Sequence, residues 1–207
     1  MTKRSKEAES VRTKVVIFIK TRGGMVRAAE AIKAGIHSRT LRQLCHDETL
    51  EQVSRGIYRL ASQPPISNPD LVTVAMRVPH AVVCLISALA YHELTTQVPH
   101  AVSIALKKGA ETPRLEHPPL AVHRFTEASL NAGIEEHRVD GVTVRIYSPE
   151  KTLADSFKFR HKIGMDVVLE ALKFYKARKT FNLGELLKYA RICRVENVMR
   201  PYLEAMI

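Results

Sequence analysis

Glycines at positions 23, 24, 35 and 56 punctuate residues 11–60 so closely that this span can hold only short elements packed on one another. From Val11 the apolar positions Val11, Val15, Val16 and Ile19 form a helical stripe that stops at Gly23-Gly24. Met25-Val26 is a short apolar entry to a second, alanine-rich helix, RAAEAIKAG, expected to face inward with Ala28, Ala29 and Ile32 and to close at Gly35. Ser38 is then expected to cap a third helix, Arg39 to about His46. Its Leu41, Leu44 and Cys45 recur at the spacing of a buried face, leaving Arg39, Thr40, Arg42 and Gln43 outside. LEQV and IYRL, residues 50–53 and 57–60, read as two strands joined through Ser54-Arg55-Gly56. Three helices followed by a hairpin give the winged helix-turn-helix pattern. The first ten residues are charged and expected to be frayed.

ASQPPISNP, residues 61–69, carries three prolines and no periodicity, so it reads as a linker. The expected division is therefore 1–62 for the winged-helix domain and 63–207 for a second domain. In the latter, Asn68-Pro69 opens a helix to about Arg77, and CLISALAYHEL gives an almost apolar helix from about Cys84 to Leu94. VSIAL and LAVHRF are strand candidates. IEEHRV-DG-VTVRIY is the clearest β signal, because Asp140-Gly141 suits a type I′ turn that would pair Val139 with Val142 and Glu136 with Arg145. SPEKTLADSFKFR and GMDVVLEALKFYKARK read as helices, and Asn182 with Glu185 caps a further one, LGELLKYARIC. Pro201 interrupts or begins the last. The expected class is α+β, a winged helix-turn-helix followed by a mixed α/β domain that ends in helices.

The charge is uneven. Lys and Arg number 32 against 21 Asp and Glu, a formal net charge of +11. Residues 1–62 hold 13 basic and 6 acidic side chains, net +7, and residues 63–207 hold 19 and 15, net +4. A basic N-terminal module favours polyanionic partners, since it binds nucleic acid by releasing condensed counterions. Cys45, Cys84 and Cys193 are odd in number and far apart, which suits reduced thiols. The polar start MTKRSKEAES lacks the apolar core of a signal peptide, and no apolar run approaches a membrane span. A cytoplasmic protein without a membrane partner is expected.

No motif announces catalysis. Ser87 has no G-x-S-x-G elbow around it, and the glycine loops of nucleotide binders are missing from the sequence. His92 lacks a second histidine four residues on, and no other set shows metal-ligand spacing. Glu150 and Asp155 fit helix-dipole support or an ion pair with Lys151 or Lys158 better than acid-base work. Neither an enzyme, a cofactor nor a metal is expected. The third helix offers better mechanics, because Arg binds guanine bidentately and Gln binds adenine in the major groove. Ser38, Arg39, Thr40, Arg42 and Gln43 are the candidate readers. Arg55 and Arg59 from the wing, with Lys14 or Arg27 from the first two helices, are candidates for phosphate contact. Winged helices also serve as protein-binding or RNA-binding platforms, and basic residues on a short helix can simply be solvated. The clustering of charge favours DNA.

GGMVRAAEAIKAGIHSRTLRQLCHDETLEQVSRGIYRL, residues 23–60, resembles the N-terminal winged helix of the AbiEi family, antitoxins of the AbiE type IV toxin–antitoxin systems. Gly56 and Tyr58 fit the family's RGxY wing. ISALAYHELTTQVPHAVSIAL, residues 86–106, is similar to its SALxxHGLT segment and following strand, and SPEKTLADSFKFR to its PERTLxD helix. Together these cover most of the chain from Gly23 to about Tyr175. Glu93 stands where glycine is common, and Asp47-Glu48 supplies no glycine after the third helix, which bears on how the wing approaches DNA. The resemblance implies a domain that binds promoter inverted repeats in double-stranded DNA and represses its own operon. It implies a second domain that counteracts a nucleotidyltransferase-like toxin without a stable complex. A stand-alone regulator of the same fold, or a protein- or RNA-interaction module without DNA readout, would show the same residues.

Overall fold

The computed structural model describes residues 3–205. The chain divides into two compact units, Met1–Arg77 with Arg138–Thr143, and Val78–His137 with Val144–Ile207.

The first unit runs α1 (Lys3–Lys20), β1 (Met25–Arg27), α2 (Ala28–Lys33), α3 (Ser38–His46), β2 (Leu50–Ser54), β3 (Ile57–Leu60) and α4 (Pro69–Arg77). Helix α1 starts well before Val11, because its charged N-terminal stretch is rich in good helix formers. Val15 and Ile19 are buried while Val11 is exposed. The helix stops where expected. Gly24, at φ +87°, turns its N–H back to the Ile19 carbonyl at 3.0 Å, satisfying a carbonyl that the last turn leaves open.

Met25-Val26 is more than an entry. It forms a third strand, with Met25 opposite Arg59 and Val26 opposite Tyr58, so the antiparallel sheet has the order β1-β3-β2. This strand fixes the rotation of α2, since the Ala28 N–H bonds the Gly56 carbonyl at 2.8 Å. The expected inward face of α2 is corrected accordingly: Ala31 is buried and Ala28 half-buried, whereas Ala29 and Ile32 face solvent. Val15, Ile19, Val26, Ala31, Leu41, Leu44, Leu50, Tyr58 and Leu60 make one core beneath the helices.

The division between units falls after Arg77, not at 62/63. Three arginines hold the intervening segment to the first unit: Arg59 Nη1 donates to the Pro64 carbonyl (2.8 Å), Arg27 Nη1 to that of Met76 (3.3 Å), and Arg77 Nη1 to that of Arg55 (3.1 Å). Proline-rich composition marked a segment without periodicity, and these bonds give it a fixed course all the same.

The second unit contains β4 (Val82–Val83), α5 (Leu85–Tyr91), β5 (Val102–Lys107), β6 (Leu120–Phe125), α6 (Glu127–Asn131), β7 (Ile134–Val139) and β8 (Val142–Tyr147), the tips of β7 and β8 belonging to the first unit. Helices α7 (Pro149–Lys158), α8 (Arg160–Ile163), α9 (Met165–Lys176), α10 (Leu183–Cys193) and α11 (Glu196–Glu204) follow. The mixed sheet has the order β6-β5-β4-β8-β7, with β4 antiparallel to β5, and β4–β8 and β5–β6 parallel. Asp140 and Gly141 both take positive φ, +47° and +83°, as a type I′ turn requires. The class is α+β.

Helix α7 lies at the centre of this unit, buried at every position from Lys151 to Phe157. Ser148 caps it, its hydroxyl accepting from the Lys151 N–H at 3.2 Å. Lys151 and Asp155 form a fully buried ion pair, in line with the reading of Asp155 as a salt-bridge partner. Burial raises the Asp155 carboxyl, against the opposing pull of Lys151, and the Cys193 Sγ donates to its Oδ1 at 3.2 Å. Burial also pushes the Cys193 thiol up to about 12, which makes it an inert packing group. Cys45, Cys84 and Cys193 are all free. Among the described residues, no helix is long and apolar enough to cross a membrane.

Candidate nucleic-acid interface

The candidate readers sit on α3, and its amphipathy sets their direction. Leu41 and Leu44 anchor one face in the core, at 0% and 4% exposure. Arg39, Arg42, Gln43 and His46, spaced i, i+3, i+4 and i+7, lie on the outer side, all exposed. Arg39 and Arg42 make no hydrogen bond or ion pair with any described residue. The Gln43 Nε2 donates to Asp47 Oδ1 at 3.0 Å, so its amide is already oriented outward along the last turn.

Ser38 is the first helical residue rather than the cap. The N-cap is His37, extended at φ −68° and ψ 145°, and no side chain bonds the helix start. The reason is one of phase, since helical geometry begins directly after His37 and leaves the Ser38 hydroxyl exposed beside the first N–H groups. Thr40 is half-buried on the flank. An uncapped N-terminus with a hydroxyl beside it suits an anion, because the first N–H groups and the helix dipole both favour negative charge.

The four candidate phosphate contacts separate. Lys14 is exposed on α1, and Arg55 is exposed at the tip of the β2–β3 turn. Arg59 is 7% exposed, and its Nε bonds Glu51 Oε2 at 2.7 Å, the residue directly opposite it on β2. With its Nη1 donating to the Pro64 carbonyl, Arg59 is a structural side chain of the sheet, and its assignment to phosphate is corrected. Strand alternation had no way to show this, because β3 is buried on both faces along its whole length. Arg27 is similarly engaged, bonding Glu30 and the Met76 carbonyl.

Two residues escaped the sequence reading. His46 continues the Arg39–Gln43 face by one more turn, with its side chain 85% exposed; the same helical spacing would have found it. Arg77, on α4, braces the β2–β3 turn through the Arg55 carbonyl. Nothing in its spacing pointed there, since the contact spans 22 residues. Away from this interface, in the second unit, His92, Glu135 and His137 come together as a group able to hold a metal ion, although spacing along the chain showed no ligand set.

Residues 14–61 match the family model described as "Transcriptional regulator, AbiEi antitoxin". Among solved structures, the RV2827C protein from Mycobacterium tuberculosis is similar in fold, with a TM-score of 0.52 at 15% identity, covering 91% of this chain and 78% of that one. No curated protein matches the sequence. The matched span begins on α1 and ends just after β3, so it takes in the exposed basic face of α3 and the turn that carries Arg55: over residues 14–61 the chain matches the AbiEi antitoxin family of transcriptional regulators.

Proposed function

We propose that the chain is a DNA-binding antitoxin and autorepressor whose first unit works as a winged helix-turn-helix. The observation that carries this reading is the outer face of α3, where Arg39 and Arg42 stand exposed and without partners among the described residues, inside the span that matches a family of transcriptional regulators. The element order supports it, since α2 and α3 precede a hairpin whose turn projects an exposed arginine. In this reading α3 enters the major groove, with Arg39, Arg42 and Gln43 addressing base edges and His46 extending the contact. Ser38 and the open start of α3 meet a phosphate, and Lys14 and Arg55 meet others. The target is double-stranded promoter DNA with inverted repeats, read in the cytoplasm.

The second unit is proposed to counteract a nucleotidyltransferase-like toxin without forming a stable complex and without a reaction of its own. The antitoxin description of the matched family supports this, and so does the pairing of the buried Lys151, Asp155 and Cys193 with one another. The decisive experiment for DNA readout is a gel shift at fixed salt, comparing the chain's own promoter duplex with a scrambled duplex. Arg39→Ala with Arg42→Ala should abolish the preference and leave the fold intact by circular dichroism. A variant that kept the wild-type affinity and preference for the promoter duplex would remove α3 from the readout. Co-expression with the product of an adjacent nucleotidyltransferase reading frame tests the antitoxin role, growth rescue being the expected result.

A further inference from the structure

The geometry points to a transition-metal site formed by His92, Glu135 and His137, a function distinct from DNA binding and independent of it. His92 is the residue that ends α5, at φ −85° and ψ 8°, and Glu135 and His137 lie two apart on β7, so both project from the same face of that strand. One ligand atom from each comes within 4.8 Å of the others. The His137 Nε2 and Glu135 Oε2 are already 3.0 Å apart.

The surroundings orient the ligands. The His92 Nε2 donates to the Tyr147 carbonyl at 2.7 Å, which commits that nitrogen to its proton and leaves Nδ1 with the lone pair. Backbone carbonyls hold the second ring nitrogen of metal-ligating histidines in the same manner. The Tyr91 ring packs edge-on against both imidazoles, at centroid distances of 5.3 and 5.0 Å, and the two imidazoles meet each other at 5.7 Å. The His92 imidazole is half-buried. Two charged groups face it: the Glu135 carboxylate, which favours a cation, and the Arg178 guanidinium, which opposes one. Arg178 is turned to the His92 carbonyl, with which it bonds. Glu135 contributes to the coordination itself and so outweighs it.

Two imidazoles and one carboxylate select zinc-like dications over calcium or magnesium, which prefer all-oxygen cages. In a tetrahedral site with arms of about 2.0–2.1 Å, ligand atoms lie roughly 3.4 Å apart. The Glu135–His137 pair therefore opens slightly and His92 closes on it, movements that half-exposed side chains on an edge strand can make. The fourth position is left to water. A bound ion would tie the end of α5 to β7 and stiffen an edge strand.

The test uses the full chain, stripped with a chelator and titrated with Zn2+ by calorimetry and with Co2+ by visible absorption. The expected result is one site per chain and intense four-coordinate Co2+ bands. Glu135→Gln and His137→Asn should each weaken Zn2+ binding by at least about tenfold. His92 is left unchanged because its buried bond to Tyr147 serves the fold, and circular dichroism of the two variants verifies that they are folded. Absence of Zn2+ binding in the wild type would overturn the inference. Equal binding in both variants would do so too, since the ion would then sit among other histidines.

Discussion

Lys151 and Asp155 face each other one helical turn apart on α7, with neither side chain reaching solvent. The Lys151 Nζ also lies 4.0 Å from the centroid of the Tyr147 ring, which supplies a second favourable field for the ammonium. Removing one partner strands the other charge in an apolar core. Lys151→Met should therefore cost about 3–5 kcal/mol in urea unfolding, and Lys151→Met with Asp155→Leu should recover most of that loss. A milder case is Glu170 on α9, exposed to solvent, whose carboxyl is held below its ordinary 4.5 by hydrogen bonds from the Thr96 and Thr95 hydroxyls. A depressed carboxyl contributes stability that is complete above its unfolded value and is lost as pH falls through its lower folded value. Urea unfolding of wild type and Glu170→Gln should thus differ at pH 6 and draw together as pH falls through the lowered folded value of Glu170. Arg59 supplies the contrast to Arg39. Arg59→Met should lower the thermal midpoint while the folded variant keeps its affinity for the promoter duplex, because the buried guanidinium bonds Glu51 and the Pro64 carbonyl within the fold.

Among the elements, α4 bears on the interface without entering it. Its Arg77 holds the Arg55 carbonyl, and so fixes the turn that presents the Arg55 side chain. Arg77→Met removes one charged donor from a half-exposed carbonyl. Amide exchange at Arg55 and Gly56 should accelerate, and affinity for duplex DNA should fall while specificity is kept. That role was not legible in the chain, since it depends on a side chain reaching back across the proline-rich segment. What was legible followed strong periodicity. Leu41 and Leu44 placed α3 and its outer face, Asp140-Gly141 placed the β7–β8 turn, and Asn182 with Glu185 placed the start of α10, where the Glu185 N–H bonds Asn182 Oδ1 at 3.0 Å. What failed was short or weakly patterned. β1 has three residues and β4 two, too few for an alternation to register. Helix α2 is mostly alanine, so its rotation was set by β1 and the Gly56 carbonyl rather than by an apolar stripe of its own. The metal group is the extreme case: His92 and β7 meet only through the fold.

At the scale of the molecule, the proposed contact with a polyanion depends on where the charge lies. The net charge of +7 over residues 1–62 against +4 over residues 63–207 concentrates the field on the span that also carries α3 and the β2–β3 turn. Some of that charge is already neutralised within the fold, since Arg27 and Arg59 are paired with Glu30 and Glu51. The salt dependence of promoter binding should count the cations exposed to solvent rather than those buried in the fold. Each such contact contributes about −0.9 to the slope of log affinity against log salt concentration. Lys14→Ala and Arg55→Ala should each make the slope shallower by roughly that amount and weaken binding alike on promoter and scrambled duplexes. Arg59→Met should leave the slope where it was, although it removes the same formal charge. Fluorescence anisotropy titrations over a range of salt concentrations separate the two outcomes. A slope that fell equally for all three substitutions would mean that net charge alone drives binding, and the division of these cations into exposed and buried side chains would have no bearing on the contact with DNA.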